Sequence, residues 1–184
     1  MFPSSSPGRP KYAGVGRRHS DFWAPELHFV NGRHMATYTV RDSTGLLCIG
    51  AAFSNNGPLG PYEDIGRPLV RDLSVGSIDS HIFFDESQGK YYLFWKEDGN
   101  GLTPPRPRTP IFAAELAPDG ESIIGNRHSV LANSLEWEGN LVEAPWVVKH
   151  DGMYYMFYSA NAYYNSKYER KSSNFVVCSL CCFF

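Results

Sequence analysis

Three stretches of this sequence share one plan, and that plan restricts the possible folds more than any other feature. They are WAPELHFVNGRHMATYTV (Trp23–Val40), IDSHIFFDESQGKYYLFWK (Ile78–Lys96) and VEAPWVVKHDGMYYMFYSA (Val142–Ala160). Each opens on a short polar or acidic motif. A short apolar strand follows, then a turn with a glycine, then an aromatic strand. The turn glycines, Gly32, Gly89 and Gly152, recur at roughly 60-residue spacing, somewhat longer than common propeller repeats. Further strand-like pieces lie between the hairpins: GLLCIGAAFS after the first, TPIFAAELAPDG and SIIG after the second. Each unit therefore holds about four strands, which is the blade of a β-propeller. A two-sheet sandwich is the competing all-β architecture. The regular recurrence, with its special residues always on the first strand, favours the propeller.

Composition agrees with an all-β chain. Of 184 residues 15% are aromatic, and no long stretch has helical periodicity. The formal net charge of −2 does not suggest a nucleic-acid partner or an anionic membrane, and no apolar run reaches the length of a membrane span. Residues 1–20 read as a disordered, basic leader without the apolar centre of a secretory signal. Residues 21–168 carry the repeats, and 169–184 form a tail with no blade pattern. Cys48 stands alone in an apolar strand, and the other three cysteines crowd the tail, so a disulfide framework is not expected. Three clustered cysteines without a fourth partner make a weak metal site. GPLGPYED (57–64) reads as a loop leading to an outer strand, and DGNGLTPPRPRTP (98–110) as a solvated loop.

Two carboxylates stand at the head of first strands, Asp79 in SIDSHIFFD and Glu143 in LVEAPW. They occupy equivalent places in successive repeats. If the repeats are blades, both face one axial cavity. Glycosidic bond cleavage needs such convergence: one carboxyl group protonates the leaving oxygen, another acts as base or nucleophile, and nearby negative charge keeps the acid protonated. Strand-end acids are also commonly structural, facing water.

The three motifs, taken in order, resemble glycoside hydrolase family 43, whose members are five-bladed β-propeller enzymes that include arabinofuranosidases, β-xylosidases and endo-arabinanases. The resemblance covers roughly Asp21 to Tyr168. It implies that Glu143, in EAPW, is the general acid and that Asp79, heading I-D-x-x-x-F-x-D, modulates its pKa. Trp23, in WAPE, would border the substrate pocket. His81 beside Asp79, with Trp95 and Trp146, are the other expected substrate contacts. His28 and His150 fit structural roles. The family inverts the anomeric centre, so a third carboxylate must activate water. In the family that aspartate opens the first blade, before WAPE, where this chain has only its leader. The chain thus reads as blades two, three and most of four, truncated at both ends, with low solubility and marginal stability expected. No cofactor is called, although an axial calcium ion occurs in some relatives, because no ligand set is identifiable. The expected partner is an arabinose- or xylose-containing polysaccharide. A catalytically inactive carbohydrate-binding propeller fragment is the alternative, and a propeller that only binds proteins is the third possibility.

Overall fold

The computed structural model describes residues 9–14, 21–101, 109–164 and 178–179. The described strands form three antiparallel sheets. The first has strands β1 (Trp23–Val30), β2 (Arg33–Arg41), β3 (Leu47–Ser54) and β4 (Glu63–Asp64), in that order. The second has β5 (Ser77–Asp85), β6 (Lys90–Glu97), β7 (Ile111–Leu116) and β8 (Ile123–Leu131). The third runs β11-β10-β9, with β9 (Val142–His150), β10 (Met153–Ala160) and a short β11 (Cys178–Ser179). The only helices among the described residues are two short 3-10 turns, Gly99–Gly101 and Glu136–Glu138.

The hairpin turns follow from their residues. Asn31-Gly32 and Asp151-Gly152 both take positive φ at both positions, 49° and 76°, then 49° and 75°. That is the backbone of a two-residue turn whose twist matches the flanking strands, and Asn-Gly and Asp-Gly adopt it at least cost. His150 pairs with Met153 and closes the strand, leaving Asp151-Gly152 as the two turn residues.

The sheets pack face to face. Between the first and second lie Val30, Met35, Ile49, Leu93, Trp95 and Leu116, all buried. Between the second and third lie Phe94, Ile111, Val142, Val147, Met156 and Tyr158. The inner strands β1, β5 and β9 are successive neighbours, β1 against β5 and β5 against β9. The three sheets are therefore blades fanned about one axis, each opening its first strand to the centre. The far face of the first blade packs Tyr38, Val40, Cys48 and Ala52 against Ala13.

Candidate active site

Each inner strand is bulged at its head, and the bulge builds the site. On β1, Trp23 pairs with Thr39 and Glu26 with Thr37. On β5, Ile78 pairs with Lys96 and His81 with Phe94. On β9, Glu143 pairs with Ser159 and Trp146 with Phe157. In all three, three steps on the inner strand face two on its partner, so one residue is extra. The extra turn is taken in the left-handed region at Ala24 (φ 43°), Asp79 (φ 55°) and Ala144 (φ 54°). Non-glycine residues there cost of order 1–3 kcal/mol and gather at functional sites.

This register corrects the expectation that Asp79 and Glu143 occupy equivalent places. The motifs WAPE, IDSH and EAPW superpose residue for residue, so Glu143 matches Ile78 and Asp79 matches Ala144. The two carboxylates stand at adjacent positions of one bulge, in neighbouring blades. Both line a cavity of about 400 Å³, together with Trp23, Asp98, Tyr163 and Tyr164.

Inside the cavity the two acids are held differently. The Ala144 N–H donates to Asp79 Oδ2 at 3.1 Å, and the Asp79 N–H donates to Thr39 Oγ1 at 3.3 Å. Asp79 thus ties all three blades together at the axis. Burial, then the neighbouring Glu143 charge, pushes the Asp79 carboxyl up to about 6. The Lys96 ammonium and the Ala144 N–H act against that rise. Lys96 is fully buried on β6 and donates to Glu143 Oε2 at 3.1 Å. Its Nζ also lies 3.5 Å from Asp98 Oδ1. A buried ammonium needs such partners, because an unpaired one would lose its charge.

The loop before β9 is pinned as well. The buried Glu138 accepts from Tyr158 Oη at 2.7 Å and from the N–H groups of Ser134 and Leu135. Asn161 closes the same loop, donating from its backbone to the Glu138 and Leu141 carbonyls. Glu143 therefore starts from a fixed base.

The remaining expected contacts divide. Trp23 lines the cavity. Trp95 does not: it is 1% exposed, in the core between the first two blades, and stacks on Phe112 with centroids 5.9 Å apart. Every residue from Tyr92 to Lys96 is buried, so β6 has no alternation that would mark which face Trp95 takes. His81 is also buried and outside the cavity lining, with its ring 4.5 Å from that of Trp146. Trp146 is half exposed at its centre of β9, beside His81 rather than in the cavity. Lys96, Asp98, Tyr163 and Tyr164 were not singled out by the sequence. The signal for Asp98 was its place right after the second aromatic strand, in the segment read as a solvated loop. Residues 102–108 of that segment, and most of the leader and tail, lie outside the described residues.

Glu26, His28 and His81 gather where β1 meets β5. Calcium takes six to eight oxygen ligands. One carboxylate and two imidazoles supply few of these, and Glu26 Oε2 already takes both histidines as hydrogen-bond partners at 3.0 Å.

Comparison with known proteins matches this geometry. The sequence profile of glycosyl hydrolases family 43 matches residues 7–174. Beta-D-galactofuranosidase xynD of Aspergillus niger is 31% identical over 135 residues, covering 71% of this chain and 34% of that protein. Extracellular exo-alpha-(1->5)-L-arabinofuranosidase of Streptomyces avermitilis is 26% identical, covering 82% of this chain and 31% of that protein. The chain thus spans about a third of the length of these two relatives. A solved thermostable family-43 glycoside hydrolase superposes with a TM-score of 0.74 at 36% identity, covering 85% of this chain and 50% of that one. An endo-arabinase from Bacteroides thetaiotaomicron shares the fold, with a TM-score of 0.67 at 18% identity. The three described sheets are blades of the five-bladed propeller of these enzymes, and the chain belongs to glycosyl hydrolases family 43.

Proposed function

We propose that this chain is the part of an inverting glycoside hydrolase that carries the general acid, Glu143, and the residue that tunes it, Asp79. The substrate class is an O-glycosidic bond in an arabinose- or xylose-containing polysaccharide. The observation that carries this reading is the meeting of Asp79 and Glu143 at one cavity, with Asp79 fastened to the backbone of Ala144, next to Glu143.

The geometry divides the labour. Lys96 occupies Glu143 Oε2, which leaves Oε1 to carry the proton. Glu143 gives that proton to the leaving oxygen and becomes a carboxylate. Lys96 stabilises the charge so formed, in a site where a charge-assisted hydrogen bond is stronger than in water. Asp79 and Glu143 line one cavity, so a charge on either opposes ionisation of the other and the pair holds one proton more firmly than an isolated acid. Trp23, Tyr163 and Tyr164 offer apolar faces on which a sugar ring can stack. The water-activating base is a third carboxylate. Asp98 is the third one in the cavity lining, and its share of Lys96 suits it to holding that lysine rather than to taking a proton.

The test is hydrolysis of aryl α-L-arabinofuranoside and aryl β-D-xyloside by the purified chain and by Glu143→Gln. Loss of the acid should lower turnover by about 10²–10⁴-fold. Equal turnover in both proteins overturns the assignment. Sugar binding without turnover in either, from folded protein, supports the inactive carbohydrate-binding reading instead.

A further inference from the structure

Asp79 and Ala144 are the same residue of the repeated bulge, the extra one that the strand ladder leaves unpaired. Its N–H needs an acceptor from elsewhere. At both blade junctions that acceptor is a side-chain oxygen of the preceding blade. Asp79 Oδ2 takes the Ala144 N–H at 3.1 Å, and Thr39 Oγ1 takes the Asp79 N–H at 3.3 Å. Thr39 is fully buried on β2, opposite Trp23. Met35, Thr37 and Thr39 alternate along that strand and share one face, which Met35 places against the second blade. Two buried hydroxyls thus stand two residues apart on this face. The Thr37 hydroxyl has no hydrogen-bond partner among the described residues, whereas that of Thr39 holds Asp79. A β-branched side chain is restricted at χ1, so the Thr39 oxygen is held in place for the contact.

We propose that Thr39 is a positioning residue for the acid pair of the cavity: its hydroxyl fixes the Asp79 backbone in the left-handed conformation from which the Asp79 carboxylate reaches the Ala144 N–H, beside Glu143. Thr39 itself is outside the cavity lining and acts from the first blade through Asp79. Its share in catalysis rests on the roles proposed above for Asp79 and Glu143; its hold on the Asp79 backbone does not. Without the hydroxyl the Asp79 N–H loses its acceptor, and the φ of 55° loses a contact that maintains it. The carboxylate then loosens from Ala144. The Ala144 N–H is one of two groups that favour the charged form of Asp79, the Lys96 ammonium being the other, while burial, Glu143 and Asp98 oppose it.

The experiment compares the full chain with Thr39→Val, Thr39→Ser and Thr37→Val by nuclear magnetic resonance, following the Ala144 amide and the Asp79 carboxyl. Thr39→Val keeps the shape and removes the acceptor, Thr39→Ser keeps the acceptor, and Thr37→Val removes a neighbouring buried hydroxyl that holds nothing. In Thr39→Val the Ala144 amide proton should move upfield and exchange faster with solvent, and the Asp79 carboxyl should titrate above its parent midpoint. Thr39→Ser should restore the parent behaviour, and Thr37→Val should never depart from it. In aryl glycoside hydrolysis Thr39→Val should lower kcat about 2- to 10-fold, the worth of one neutral hydrogen bond, with KM little changed. The proposal is overturned by any of three results: Thr39→Val with the Ala144 amide and the Asp79 titration of the parent, folded Thr39→Ser behaving as Thr39→Val, or Thr37→Val shifting the same signals as far. Equal turnover in the parent and Glu143→Gln would refute the acid pair, while these spectra still decide the Thr39 contact. Should Thr39→Val fail to fold, the Asp79 amide of the parent decides: slow exchange supports the bond to Thr39, and exchange at the rate of an open loop overturns it.

Discussion

Asp79 and Glu143 line one cavity and the buried Lys96 backs Glu143, and their charges predict different effects of substitution. Asp79 ionises with difficulty, since burial and the Glu143 charge push its carboxyl up to about 6. An unfolded aspartate ionises near 3.9. The folded state therefore holds its proton to higher pH than the unfolded chain. Stability falls as pH rises between those two values and stays lowered above the upper one. Asp79→Asn removes that penalty and also suits the left-handed backbone, which asparagine tolerates. We expect Asp79→Asn to melt above the parent at neutral pH and level with it near pH 4, while hydrolysis weakens. A variant that melts below the parent at neutral pH counts against a strained, costly Asp79. Lys96 works the other way. Lys96→Met withdraws a charge-assisted hydrogen bond of roughly 1.5–3 kcal/mol from the Glu143 carboxylate. Turnover should drop about 10- to 100-fold, with KM little changed, because the bond strengthens as Glu143 ionises. A change confined to KM would place Lys96 in substrate binding instead.

At the scale of elements, the second aspartate of the IDSHIFFD motif has a different task from the first. Asp85 ends β5, is fully buried, and accepts from Ser87 Oγ (2.6 Å), Gln88 Nε2 (3.0 Å), Lys149 Nζ (3.0 Å) and Tyr154 Oη. It thereby ties the turn of the second blade to both strands of the third. These partners hold its carboxyl far below the usual carboxylate range against the cost of burial. The sign is that of a depressed acid: its contribution is present above the unfolded value and is lost as pH falls towards the folded one. Asp85→Asn should cost roughly 3 kcal/mol at neutral pH and flatten the acid limb of the stability profile. Urea unfolding at several pH values reads both, and an unchanged acid limb assigns that limb to other carboxylates. The repeats and their hairpin turns were legible because Gly32, Gly89 and Gly152 each separate an apolar run from an aromatic one. The bulge was not. It shifts each inner strand by one residue without changing any residue type, so Asp79 and Glu143 looked equivalent when they are adjacent. Trp95 looked like a sugar contact because β6 is buried on both faces. Glu26, His28 and His81 lie on two strands 55 residues apart at their widest contact, and only the pairing of inner strands brings them together.

For the whole molecule, the question is what the open faces of the blades do in water. Leu27 and Phe29 are 59% and 62% exposed on β1. They alternate with the inward Glu26 and His28, so they form an apolar row on the opposite side of the strand. β1 hydrogen-bonds only to β2 among the described strands, so its other edge carries unpaired backbone groups beside that row. An apolar row next to an open edge invites self-association. The double substitution Leu27→Lys and Phe29→Lys places charge there without emptying any packed volume, and lysine is the common guard of an open edge. Neither residue belongs to the core between the blades. We expect the variant to elute as a smaller species at high concentration and to show less association by light scattering, with its melting temperature within a few degrees of the parent. The opposite pattern, a large fall in melting temperature with association unchanged, means that Leu27 and Phe29 are packed in solution. The blade face would then be covered by another part of the protein, and the lysines would be displacing it.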